Sequence, residues 1–260
     1  MLFQIRAFIY SLFFLVSLEA MVFWQAFWWG ALLLFLFTLV FIWPLVRKPR
    51  FLFISFFLSL GSVNLTALID QGIEKHVFIF IASLVHYISL VGAYRLKNYR
   101  CDQSAQGMIE ISTLVASFFW FISIFGWFLN FQVEAWCLVL VIMLSAFLIN
   151  LPSFLVCVDS INKLSEKKQL DLKKQPFIKA LFLNLVLVLI VGEVVWAVTF
   201  WPFSYLTTGT IVLVVFYSFR NVILLFIRED FSLKRVAVGF VGGAVFILGL
   251  LLTAQWNLIV

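Results

Sequence analysis

Charge is what this sequence has least of. Asp, Glu, Lys and Arg together make up 12% of its 260 residues, about half the share found in a soluble domain. A water-solvated globular fold is excluded on that ground, because its surface has to be built largely from ionised side chains. Cysteine is scarce too. Cys101, Cys137 and Cys157 show no CxxC or metal-ligand spacing, and they fall at different depths in the topology argued below. They read as small, inert side chains rather than a disulfide framework. Neither GxxxxGK[ST] nor GxGxxG occurs, so no loop cradles phosphate; HExxH, GxSxG and paired intramembrane aspartates are missing as well. These absences leave no expected cofactor and no expected metal, and they turn the reading away from nucleotide hydrolysis and from intramembrane proteolysis.

Apolar surface is what the chain does have. Hydrophobic residues reach 65%, with 33 Phe and 10 Trp, and the mean hydropathy is +1.14. A soluble fold of this length has no interior large enough to hide that surface, so the bilayer is the solvent. A helix needs about 20 apolar residues to cross about 30 Å of hydrocarbon. Windows of that length fall near 6–25, 28–46, 51–70, 75–94, 109–130, 134–157, 177–198, 204–227 and 236–255. The expected fold is therefore an all-α, polytopic transmembrane helix bundle of about nine spans, or eight if residues 6–46 cross once. The block 6–46 is divided at "WQAFWWG", where Gly30 and three tryptophans suit an interfacial turn. Arg6 and the first apolar run resemble a signal peptide, but no small-x-small cleavage site follows Glu19, so the segment reads as a retained span.

The basic residues test this division. Arg47, Lys48 and Arg50 follow span two; Arg95, Lys97 and Arg100 follow span four. Lys163, Lys167, Lys168, Lys173 and Lys174 follow span six, and Arg228, Lys234 and Arg235 follow span eight. With nine alternating spans, all of them share one side with Arg6, while the opposite loops carry Lys75 and the acids Asp70, Glu74 and Glu134. That positive-inside pattern puts the N-terminus in the cytoplasm. The whole chain reads as a single membrane domain, with residues 159–176 as a basic cytoplasmic linker that suits anionic lipid headgroups. The formal charge of +6 is topology information, and no nucleic-acid partner is expected. Short loops and the one-sided charge point to the plasma membrane of a prokaryote.

Ionisable groups inside spans are expensive, so each is a candidate site. Glu193 lies about 21 Å along span seven from Lys179, and Glu19 about 20 Å along span one from Arg6, which puts both near the outer face. Trp196 follows Glu193 by three residues, in a loose echo of Glu19 and Trp24. His86 lies within span four; His76, ten residues earlier, is about 280° round the helix, which puts the two on different faces. Glu19, Glu193, Trp196 and His86 are thus the candidates for binding or proton relay.

A second candidate group sits toward the inner side. If spans seven and eight turn near Trp201-Pro202, residues whose numbers sum to about 405 are level, so Asn184 faces the depth of Asn221 and Arg220. Asp159, at the inner end of span six, is the nearest counter-ion. Asn64, Asn130, Asn150 and Pro152 add polarity or a kink within spans. Gly239 and Gly243 form a small-xxx-small pair that suits close helix packing.

These features suit a transporter or lipid-handling protein that uses buried glutamates. The alternative is a structural or assembly subunit of a membrane complex, and a third reading is an intramembrane lipid-modifying enzyme, for which no cluster of carboxylates, histidines or metal ligands is visible. The expected partners are membrane lipids and other membrane subunits.

Overall fold

The computed structural model describes residues 2–25, 29–30, 34, 49–70, 72–99, 102–131, 133–166, 175–227 and 231–254. Among them are eight α-helices and no strand: α1 (Leu2–Trp24), α2 (Pro49–Leu68), α3 (Gly72–Asn98), α4 (Gln103–Phe131), α5 (Ala135–Glu166), α6 (Gln175–Thr199), α7 (Tyr205–Ile227) and α8 (Leu233–Thr253). All eight are long and apolar enough to cross a membrane. Hydrocarbon offers no partners for backbone N–H and C=O groups, and a helix satisfies them within its own segment. The second expected span, 28–46, lies outside the described residues apart from Trp29, Gly30 and Leu34.

Polar residues close the helix ends. Asp102 stitches the turn between α3 and α4. One of its carboxylate oxygens accepts the Ala105 N–H at 3.2 Å, and the other receives Arg95 Nη2 at 2.7 Å. The side chain thus caps the N-terminus of α4 and places a cation against the C-terminal end of α3. Between α6 and α7, Trp201 N–H reaches back to Val198 O, and Ser204 Oγ accepts the Thr207 N–H. α1 ends at Gln25, whose φ of 52° is left-handed and cannot continue the helix. α5 does not stop at the expected membrane edge near residue 157. It runs on to Glu166, so the first part of the expected basic linker is helix. No glycine or proline interrupts 158–166.

The chain divides after Ser123, within α4, into two packed units. In the first, α1 runs antiparallel to α3: Phe8 meets Tyr87, Ser11 donates to Ser83 O, and Glu19 meets His76. α2 and α3 form a hairpin, so α1 and α2 are parallel. α2 therefore starts from the same side as α1. The first part of α4 packs on α2 through Phe57 and Trp120, and on α3 through Phe78 and Phe119.

The second unit is built on α5, α6 and α7, which all touch one another, with α8 laid on α7. The register expected between α6 and α7 is present, because Lys179 Nζ sits 4.4 Å over the Phe226 ring and the two numbers sum to 405. This contact is a cation–π pair at the half-open end of the hairpin.

Candidate functional site

The largest side chain buried in the second unit is an arginine. Arg220 on α7 is 2% exposed, and its guanidinium keeps its charge in any protein environment. Its Nε donates to Asn150 Oδ1 at 2.8 Å. Asn150 Nδ2 then donates to Asn184 Oδ1 at 3.0 Å, and Asn184 Nδ2 donates to the Phe147 carbonyl at 3.1 Å. The chain of donors therefore runs from α7 to α5, across to α6, and back to α5. Both amides face donors with their oxygens and acceptors with their nitrogens, so the two asparagine orientations support each other.

Pro152 frees the neighbouring carbonyl, not this one. It lies inside α5 and cannot supply the N–H that would bond to residue 148. The Phe147 carbonyl is the i−4 acceptor for Leu151, and Asn184 uses its second lone pair. Interhelical hydrogen bonds of this kind are worth about 0.6 kcal/mol on average in membranes, reaching about 1.7. Several in series across three helices lock a register rather than supply bulk stability.

The sequence places Arg220 and Asn184 at one depth, and the structure brings them together through Asn150. That residue was visible only as intramembrane polarity beside a proline. α5 and α6 are joined by a long segment, so no tight turn let their register be counted. Asn221 is half-buried, and among the described residues its side chain is not part of the network. Asp159 is a residue of α5, and its side chain is not among those described.

Neither glutamate is buried: Glu19 is half-buried and Glu193 is exposed. Gly192 faces α5, where a Cβ would meet Met143 Sδ at 2.6 Å. Glu193, the next residue, is therefore rotated about 100° away and is exposed. Trp196, one turn on, is 48% exposed and packs edge-on against Phe200 at 5.5 Å. Glu193 and Trp196 form an outward-facing strip near the end of α6, the place where amphipathic groups meet headgroups. In the first unit, Glu19 Oε2 lies 2.8 Å from His76 Nδ1, with both side chains partly solvent-exposed.

His86 lies one level deeper in the first unit. It is buried, and its ring stacks on Phe14 with centroids 4.5 Å apart and an interplanar angle of 13°. Both histidines thus touch α1, against the expectation of separate faces. A rotation of 280° one way is 80° the other, within the arc a helix presents to its neighbour. Among the described residues, no group of three or more His, Cys, Asp and Glu side chains could hold a metal ion.

On α8, Gly243 carries the packing expected of it, since a Cβ there would lie 2.9 Å from Ser218 Oγ. At Gly239 a Cβ would meet nothing within 4 Å, so the two glycines do not serve one contact. Residues 167–254, which include α6, α7 and α8, match the family model described as "Protein of unknown function (DUF5656)". No curated protein and no solved structure matches the chain.

Proposed function

We propose that this multi-pass membrane protein is an assembly subunit of a membrane complex, in which the locked α5–α6–α7 core holds α8 out as a contact helix. The supporting observation is α8 itself. None of its residues is buried, and among the described helices it packs on α7. Its α7 side is marked by Phe240, which meets Phe219, and by Gly243. Gly239, Gly242 and Gly249 face open space. At 100° per residue these three fall within an arc of about 80°, which begins about 40° round the helix from Gly243. Glycine weakens a helix by about 1 kcal/mol relative to alanine. A glycine strip facing lipid alone gains nothing in return, whereas one facing another helix lets the backbones approach closely.

The polar residues fit the same reading. The arginine–asparagine network joins helices, and the glutamates lie at the surface, where a cavity-based transport cycle has no use for them. Membrane lipids cover the remaining apolar surface. The one-sided basic residues are in keeping with a prokaryotic plasma membrane, with the basic linker in the cytoplasm.

The test is the mass of the particle extracted gently from native membranes. The wild-type chain is expected to migrate well above its 30.0 kDa monomer, and Gly239→Leu/Gly242→Leu is expected to release the monomer without lowering its own unfolding temperature, because among the described residues no atom lies within 4 Å of a Cβ at either position. Co-migration of variant and wild type would sink the assembly reading. Native mass spectrometry of the same particle separates a second copy of this chain from a different subunit.

A further inference from the structure

The interior of the first unit carries more hydroxyls than helix packing needs, and they are ordered. On α2, Ser55, Ser59, Ser62 and Thr66 are all buried, between 0 and 4% exposed. Their spacing of four, three and four residues puts them on one face within about 60°. Phe57 and Gly61, which meet Trp120 and Phe119 of α4, lie roughly opposite. The hydroxyl face is therefore turned away from α4; the other described helices packed on α2 are α1 and α3.

The hairpin between α2 and α3 closes across residues 69–71, so levels sum to about 140. Thr66 then lies near the depth of His76, and Ser55 near that of His86. The ladder covers about 16 Å, and the two histidines are about 15 Å apart along α3. At one end stands the partly exposed Glu19–His76 pair. Part-way along, Ser11 donates to the Ser83 carbonyl between α1 and α3. At the other end, His86 Nδ1 is fully enclosed and has no hydrogen-bond partner among the described residues.

We propose that this ladder lines a one-ended water path, which runs from the Glu19–His76 pair to His86. Ser59, Ser62 and Thr66 donate their hydroxyl hydrogens to carbonyls four residues back, at 2.7–2.8 Å. Their oxygen lone pairs are left as acceptors for water. Enclosed polar atoms without partners are rare in folded proteins, and a buried water needs two to four polar partners, which hydroxyls at every turn supply. From α1 His86 faces Phe14, and among the described residues of the first unit no Asp, Glu, Lys or Arg is buried. The path therefore ends on a single imidazole with neutral neighbours among the described residues, and its ligand is water.

The chain has two histidines, which makes the test clean. In bilayers, water-edited solid-state NMR on histidine-labelled full-length protein reads transfer from water to each imidazole separately. Transfer to both His76 and His86 is expected, with His76 as the exposed internal reference. Ser59→Val and Ser62→Val are expected to abolish the His86 signal and leave His76 unchanged, and the milder Ser59→Ala/Ser62→Ala variant is expected to weaken it while the unfolding transition stays cooperative. Transfer to His76 alone in the wild type overturns the path. So does a His86 signal indifferent to both sets of variants.

Discussion

Asn150→Leu is expected to destabilise the second unit by about 3 kcal/mol, more than any other single change in its polar network. Leucine matches the branched four-atom shape but removes two functions at once: the oxygen that receives Arg220 Nε and the nitrogen that reaches Asn184. An orphaned buried polar group costs about 1–3 kcal/mol, and more where one partner is charged. Asn184→Leu is expected to cost about half as much, because Arg220 keeps its bond to Asn150 and the carbonyl left by Asn184 is a backbone group with a second lone pair. Replacing both ends, as in Asn150→Leu/Arg220→Leu, is expected to recover part of the loss, since no buried charge remains to be compensated. Unfolding in mixed lipid–detergent micelles measures all three. Equal losses for Asn150→Leu and Asn184→Leu would show that the arginine does not depend on Asn150.

Gly61→Ala is expected to cost up to about 2 kcal/mol, while Gly192→Ala is close to neutral, although both glycines lie in helix interiors and both face a neighbouring helix. A Cβ at Gly61 would sit 3.0 Å from Phe119 Cβ and from the Trp120 backbone nitrogen, and 3.1 Å from the Phe119 carbonyl carbon. Backbone cannot step aside, so α2 and α4 must part, and overpacking of this kind costs about 1–3 kcal/mol. At Gly192 the obstruction is the Met143 side chain, a flexible thioether that can re-pack. Removing a helical glycine also returns about 1 kcal/mol. The same unfolding assay ranks the two variants, and a larger loss at Gly192 would contradict the geometry.

The inner cluster shows how far the sequence could be read and where reading stopped. Asn184 and Arg220 were placed at one depth because "WPF" forces a tight turn between α6 and α7, and a tight turn turns residue numbers into depths. The contact between Lys179 and Phe226 bears that register out. Asn150 escaped because a long connection carries no such arithmetic. The exposure of Glu193 was hidden for a different reason. Depth along a helix is legible from numbering, but which side of the helix meets a neighbour depends on what packs there. Gly192 against Met143 turns Glu193 outward, and nothing in the run "VGEVVW" announces that choice.

By itself the sequence determined the solvent and the element type. Long apolar runs without charge have one stable arrangement in hydrocarbon, helices that satisfy their own backbones, and that follows from composition and length alone. Rotation of each helix about its axis, and the partners it thereby acquires, came only with the tertiary structure. Side-chain packing between segments far apart in sequence settles those rotations. They put Arg220 on Asn150, His76 and His86 on the same neighbour, and the glycines of α8 on opposite duties.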